Sequence, residues 1–146
     1  MEKTLAEALA IMDGRFGCDS LIALATVENG RPAVRAVNAY YADGTFYVIT
    51  HGLSNKMRQL RENPAAAVCG DWFTGEGTGE SIGHPRAPEN RELMDKLCAI
   101  FAAWYDNGHI DENDPNTCIL RIRLKEGVLF SHGTRYAIDF MENRLK

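Results

Sequence analysis

At 146 residues, with 45% hydrophobic and 25% charged side chains, the chain has the size and composition of one globular domain. A formal net charge of −4 argues against general attraction to nucleic acid or to an anionic membrane, so an anionic ligand needs a local cluster of basic groups. Cys18, Cys69, Cys98 and Cys118 form no CxxC pair, which excludes the common zinc and dithiol motifs.

Taken in chain order, Leu5, Ala8, Leu9 and Met12 follow helical spacing and predict a helix from Thr4 to Met12. Thr4 and Glu7 have the form of a capping box, and Gly14 is placed to end the helix. Glu2, Lys3 and Glu7 make this start unlike an export signal, and no apolar run approaches the roughly 20 residues of a membrane span. A cytoplasmic protein with reduced thiols is expected.

Ser20–Glu28 then reads as a strand, Asn29-Gly30 as a tight turn, and Ala33–Tyr41 as a second strand. Asp43-Gly44 turns into a third, Thr45–Thr50, which completes an antiparallel meander. Leu53–Glu62 predicts a helix stopped by Asn63-Pro64. Ala65–Thr74 predicts a fourth strand, Gly75-Glu76-Gly77 a turn, and Thr78–His84 a fifth. Pro88–Tyr105 has the apolar spacing of a long helix, and Asp106–Asn116 reads as a polar connection. Cys118–Leu124 alternates as a half-buried strand, Gly127 predicts a turn into Val128–Ser131, and Tyr136–Phe140 extends the sheet. The pattern predicts one α+β domain over residues 1–146. It is a six- to seven-stranded antiparallel barrel with inserted and flanking helices.

The chemistry concentrates between Arg35 and Pro64. Arg35 lies in the second strand, Thr50 and His51 end the third, and Ser54 and Lys56 open a helix. A guanidinium, an ammonium, hydroxyls and free helix-start amides in one place suit a phosphate. Read by themselves, the same residues also fit two surface cations and an ordinary N-cap. The four histidines lack metal-ligand spacing, and no metal site is expected. Trp72-Phe73 reads as aromatic core or interface, and the glycines of Gly75–Gly83 do not follow a strand-to-helix dinucleotide pattern.

The order strand-Arg, Asp-Gly turn, aromatic strand ending in Thr, Ser-x-Lys, Leu-x-x-Asn-Pro resembles the pyridoxamine 5′-phosphate oxidase-like FMN-binding split barrels. It resembles the small general-stress and nitroimidazole-resistance branches more closely than the true oxidases. The resemblance implies Arg35, Thr50, Ser54, Asn55 and Lys56 at the FMN phosphate, with His51 beside them. It also implies Val37, Asn38 and Ile49 near the flavin ring, and a homodimer with flavin at the interface. True pyridoxamine phosphate oxidases carry a Lys five residues after the strand Arg, where this chain has Tyr40, and an Arg-x-His segment near the C-terminus that is missing from His132–Tyr136. The final strand region therefore gives no evidence for vitamin B6 chemistry, and the resemblance implies an FMN-dependent oxidoreductase acting on an unidentified small molecule, with a nicotinamide or similar electron donor. A non-catalytic flavin- or haem-binding stress or sensor protein of the same fold is the alternative. Catalytic residues stay unassigned, because flavin carries the redox chemistry itself.

Overall fold

A computed structural model describes residues 2–146, and Met1 lies outside the described residues. The first helix, α1, runs from Leu5 to Phe16, and the Thr4 hydroxyl accepts from the Glu7 amide as the capping motif predicts. It does not stop at Gly14 but continues to Gly17. The last turn carries Phe16 into the core, where its ring meets Phe46 edge-on at 5.5 Å. Burying that ring outweighs the cost of about 1 kcal/mol for glycine inside a helix.

Strands β1 (Ser20–Glu28), β2 (Arg31–Ala42) and β3 (Thr45–His51) form the expected meander. Asn29, Gly30, Asp43 and Gly44 all adopt positive φ at its turns. Helix α2 begins at Asn55 rather than Leu53, ends at Glu62, and leaves Leu53 exposed. Strands β4 (Ala65–Gly70) and β5 (Phe73–Ser81) differ from expectation. The hairpin between them turns at Asp71-Trp72, both at positive φ, so Trp72 is exposed while Phe73 is buried.

The expected turn at Gly75–Gly77 is instead strand. Its glycines answer close packing against β6 (Thr117–Ser131), which likewise runs straight through Gly127. A Cβ on Gly77 would lie 1.9 Å from the Arg123 carbonyl oxygen at a register shift, and one on Gly127 would lie 2.6 Å from the Phe73 ring. Glycine here marks crowding, not a change of direction.

The long helix predicted from Pro88 to Tyr105 is also broken. A short 3₁₀ turn at Pro88–Asn90 leads into α3 (Arg91–Ile100), and a π-turn at Tyr105–His109 follows, with Gly108 at φ 98°. Strands β7 (Thr134–Asp139) and β8 (Arg144–Leu145) extend the sheet beyond β6, the last unforeseen in the sequence.

The sheet order β3-β2-β1-β4-β5-β6-β7-β8, with an additional β3–β6 pairing, closes six strands into an antiparallel barrel. This is the expected α+β split barrel. Leu24, Phe46, Leu120, Ile122 and Leu129 fill its interior, and Met57 and Leu60 bring α2 onto the same core. Helix α3 lies on the outside, where Met94, Leu97 and Phe101 cover Tyr40, Ile49 and Ile119. That second layer explains why Ile119, which alternates onto the same face of its strand as Arg121 and Arg123, is fully buried.

One wall is incomplete. Strands β2 and β3 pair only at Tyr40↔Tyr47, Tyr41↔Phe46 and Ala42↔Thr45, next to their turn. Beyond that point β2 stays with β1 from Ala39 to Arg31, and β3 stays with β6 from Val48 to His51. The strands diverge into a split whose facing backbone edges are not paired with each other.

Candidate functional site

The split and the start of α2 bring the basic candidates together. Strand alternation places Arg35 on the side of its partner Leu24, toward the interior. Its guanidinium donates to the Leu24 carbonyl at 3.2 Å, to Thr26 Oγ1 at 2.8 Å and to Gln59 Oε1 at 2.9 Å. Thr26 and Gln59 are themselves buried and hydrogen-bonded to each other. Three uncharged acceptors from β1 and α2 therefore hold Arg35 in place without neutralising it.

Lys56, in the first turn of α2, is half-buried and close enough to Arg35 to feel its charge. Burial first, and then the Arg35 guanidinium, push its pKa below the ordinary lysine value. Burial likewise lowers the Arg35 pKa. Neither cation has a carboxylate partner among the described residues; Glu28, on the neighbouring strand, is occupied by Arg58. Two like charges held together without a counter-ion are an arrangement that can hold an anion.

Ser54 supplies an independent observation. It is the N-cap residue of α2 in an extended conformation, yet it makes no capping hydrogen bond, and its buried Oγ has no partner among the described residues. Buried hydroxyls are nearly always satisfied, so this orphan fits a ligand oxygen. The helix start adds amides that lack intrahelical acceptors. Thr50 pairs with Cys118, whose thiol lies near enough to Lys56 to influence it, so the end of β3 borders the same place.

The other expected residues are placed differently from one another. Val37 points into the barrel core and Ile49 points outward beneath α3, so only their backbones can face the split together. Asn38 donates to Asp19 Oδ1 at 3.2 Å. His51 Nδ1 accepts from the Leu53 amide at 3.2 Å, and its Nε2 donates to Asp114 Oδ2 at 2.9 Å. Asn55 is exposed, with Oδ1 accepting from Arg58 at 3.4 Å.

Thr26 and Gln59 were not found by sequence reasoning. For Thr26 the available signal was weak: it is a polar residue that continues the Ile22 and Leu24 alternation of its strand. Gln59 lies off the Leu53, Met57 and Leu60 face of its helix, and the sequence carried no signal for it. No group of three or more His, Cys, Asp or Glu side chains suited to a metal occurs among the described residues. No helix among them is long and apolar enough to cross a membrane. A groove of about 610 Å³ lies away from this site, on the outer face of β1, β4, β5, β6 and β7, and is lined largely by alanine, glycine and valine.

A family model described as pyridoxamine 5′-phosphate oxidase matches residues 15–130 of the chain. General stress protein 26 of Bacillus subtilis (strain 168) is 26% identical over 121 residues, covering 80% of this chain and 83% of that protein. Among solved structures, an FAD-binding protein from Mesorhizobium loti superposes with a TM-score of 0.64 at 16% identity, covering 81% of this chain and 90% of the other. A heme binding protein from Mycobacterium smegmatis superposes with a TM-score of 0.70 at 14% identity, covering 98% of this chain and 61% of the other. Structural likeness at such identities speaks for the fold alone.

Proposed function

Since the chain belongs to the pyridoxamine 5′-phosphate oxidase family, we propose that it is a flavoprotein that holds FMN at the β2–β3 split and serves as an oxidoreductase for a small molecule. The observation that carries this reading is the pair of unneutralised cations, Arg35 and Lys56, beside the partnerless Ser54 hydroxyl. A phosphate monoester supplies what each lacks: negative charge for the cations and an acceptor for the hydroxyl. Thr50, Asn55 and the first amides of α2 complete the phosphate side. The backbones of Val37, Asn38 and Ile49 border the ring, where the diverging strands leave edges able to hydrogen-bond a planar heterocycle.

Bound flavin supplies hydride and electron transfer at its own ring. This chain's residues bind and orient. Arg35 is pre-organised by Thr26 and Gln59, so little side-chain entropy remains to be lost on binding. His51 sits beside the clamp with both ring nitrogens engaged, which makes it a boundary of the site.

The same reading carries a homodimer with flavin at the interface. It is supported by an outward apolar face on which Leu21 and Val34 are 68% and 69% exposed, beside the small-residue groove. Light scattering of the purified protein is expected to give twice the chain mass.

Adding FMN to purified protein is expected to quench flavin fluorescence with saturation. Protein that leaves the fluorescence unchanged would overturn the flavin reading. Affinity is expected to be bell-shaped in pH. Below about pH 6 it falls as the phosphate takes up its second proton. On the alkaline side it falls as Lys56 loses its proton, and because that pKa is lowered the decline begins below the range of a free lysine. In Lys56→Gln the alkaline limb should move to higher pH or disappear. Bleaching of the bound flavin by NADH or NADPH, with reoxidation by an added acceptor, separates an enzyme from a carrier.

A further inference from the structure

Both lips of the split are tied to a single outside segment, the connection from α3 to β6 (residues 101–116). Trp104 Nε1 donates to Asp19 Oδ2 at 2.8 Å, and the other oxygen of Asp19 takes the Asn38 side chain of β2. Across the split, Asp114 Oδ2 accepts from His51 Nε2 of β3 at 2.9 Å, and the Asn116 carbonyl accepts from the Gly52 amide at 2.6 Å.

The segment is braced internally as well. Asp114 Oδ1 takes the Asn116 amide at 2.8 Å, the Asp114 carbonyl takes His84 Nε2 at 2.9 Å, and Tyr105 donates to Glu112 at 2.6 Å. Acceptance from the Asn116 amide, and then from His51, holds the Asp114 carboxyl below its ordinary pKa, so it stays ionised at neutral pH. Phe101 and Trp104, with ring centroids 4.8 Å apart, seat one end of the segment near α3.

Strand-to-strand pairing cannot set the width of the split, because the β2–β3 ladder ends at Tyr40 and Tyr47. Beyond that point the 101–116 connection reaches β3 directly at His51, and β2 through Asp19, which holds the Asn38 side chain. We propose that it is a clasp that fixes the separation of the two lips, with Asp114 and Trp104 as positioning residues acting through His51 and through Asp19–Asn38. As a statement about ligand binding this rests on the flavin reading; as a statement about the split it does not.

An exposed contact such as His51–Asp114 contributes little to global stability, so the test reads local opening. Amide hydrogen exchange is compared between the ligand-free wild-type protein and Asp114→Ala, Asp114→Asn and Trp104→Phe. Trp104→Phe keeps the aromatic packing and removes the donor to Asp19. A clasp predicts that Asp114→Ala accelerates exchange about tenfold at residues 36–38 of β2, the lip it does not touch. Trp104→Phe should do the same at residues 48–51 of β3, while β4 and β5 stay unchanged. Asp114→Asn keeps one acceptor where Asp114 uses two, for the Asn116 amide and for His51, so it should accelerate exchange at the same residues, by less than Asp114→Ala.

Acceleration confined to the lip that each substitution touches overturns the clasp, and so does acceleration spread evenly over the barrel. FMN titration of the same proteins should show about tenfold weaker binding in Asp114→Ala and Trp104→Phe. If wild-type protein binds no FMN, the flavin reading fails while the exchange pattern still decides the clasp.

Discussion

Replacing Lys56 and Arg35 together by methionine is expected to weaken FMN binding by about two to four orders of magnitude. Hydrogen bonds to a charged group are worth about 1.5–3 kcal/mol each, and about 1.4 kcal/mol is a factor of ten. The two side chains share one ligand and feel one another, so the double variant should lose less than the product of the singles. Isothermal titration or fluorescence quenching of all three variants measures this. Affinity unchanged in the double variant removes the clamp.

The two singles should differ in their effect on the ligand-free fold. A lysine with a depressed folded-state pKa is penalised while charged, and that penalty is relieved as pH rises through the folded value. Lys56→Met abolishes the penalty at neutral pH, so the melting temperature should rise slightly even as FMN binding is lost. Arg35→Met removes the donors to Thr26, Gln59 and the Leu24 carbonyl, so the melting temperature should fall. Opposite signs in thermal unfolding, with losses of affinity in both, are the signature of a strained binding pair.

The second large effect is on the barrel itself. Phe46 is fully buried, and its ring meets Phe16, Tyr41 and Phe73 at centroid distances of 5.5, 5.4 and 6.4 Å. It is also one of the last residues of β3 paired with β2 before the split opens. Phe46→Ala removes aromatic contacts to α1, to β2 at the hinge of the split, and to β5 at once. A loss of about 3–5 kcal/mol is expected. At roughly 2–4 °C per kcal/mol for a chain of this size, the melting temperature should drop by about 6–20 °C. Phe46→Leu, which keeps most of the volume, should lose less than half as much. A loss below about 1 kcal/mol for the alanine variant would show that these rings do not act as one packed cluster.

Legibility of the fold followed the range of the forces involved. The opening meander was readable because Asn29-Gly30 and Asp43-Gly44 are local turn chemistry and the strands between them alternate. The hairpin at Asp71-Trp72 was not, since neither residue type signals positive φ as strongly as glycine or asparagine does. Gly75, Gly77 and Gly127 misled for a related reason. Glycine signals either a turn or a close approach, and only the neighbouring strand tells which. The same limit applies to Pro88–Tyr105, where helical spacing continues past Ile100 although Trp104 leaves the helix and reaches Asp19.

By itself the sequence determined an antiparallel α+β barrel, a group of basic residues from Arg35 to Lys56, and a resemblance to the pyridoxamine 5′-phosphate oxidase family, because turns, periods and motifs are short-range. Only the tertiary structure decided that β2 and β3 part after Tyr40, that Thr26 and Gln59 hold Arg35, that the Ser54 hydroxyl is left without a partner, and that the 101–116 connection spans the opening. Each of those depends on groups far apart in the chain. Their contact is set by which apolar faces are buried together, and no local pattern encodes that.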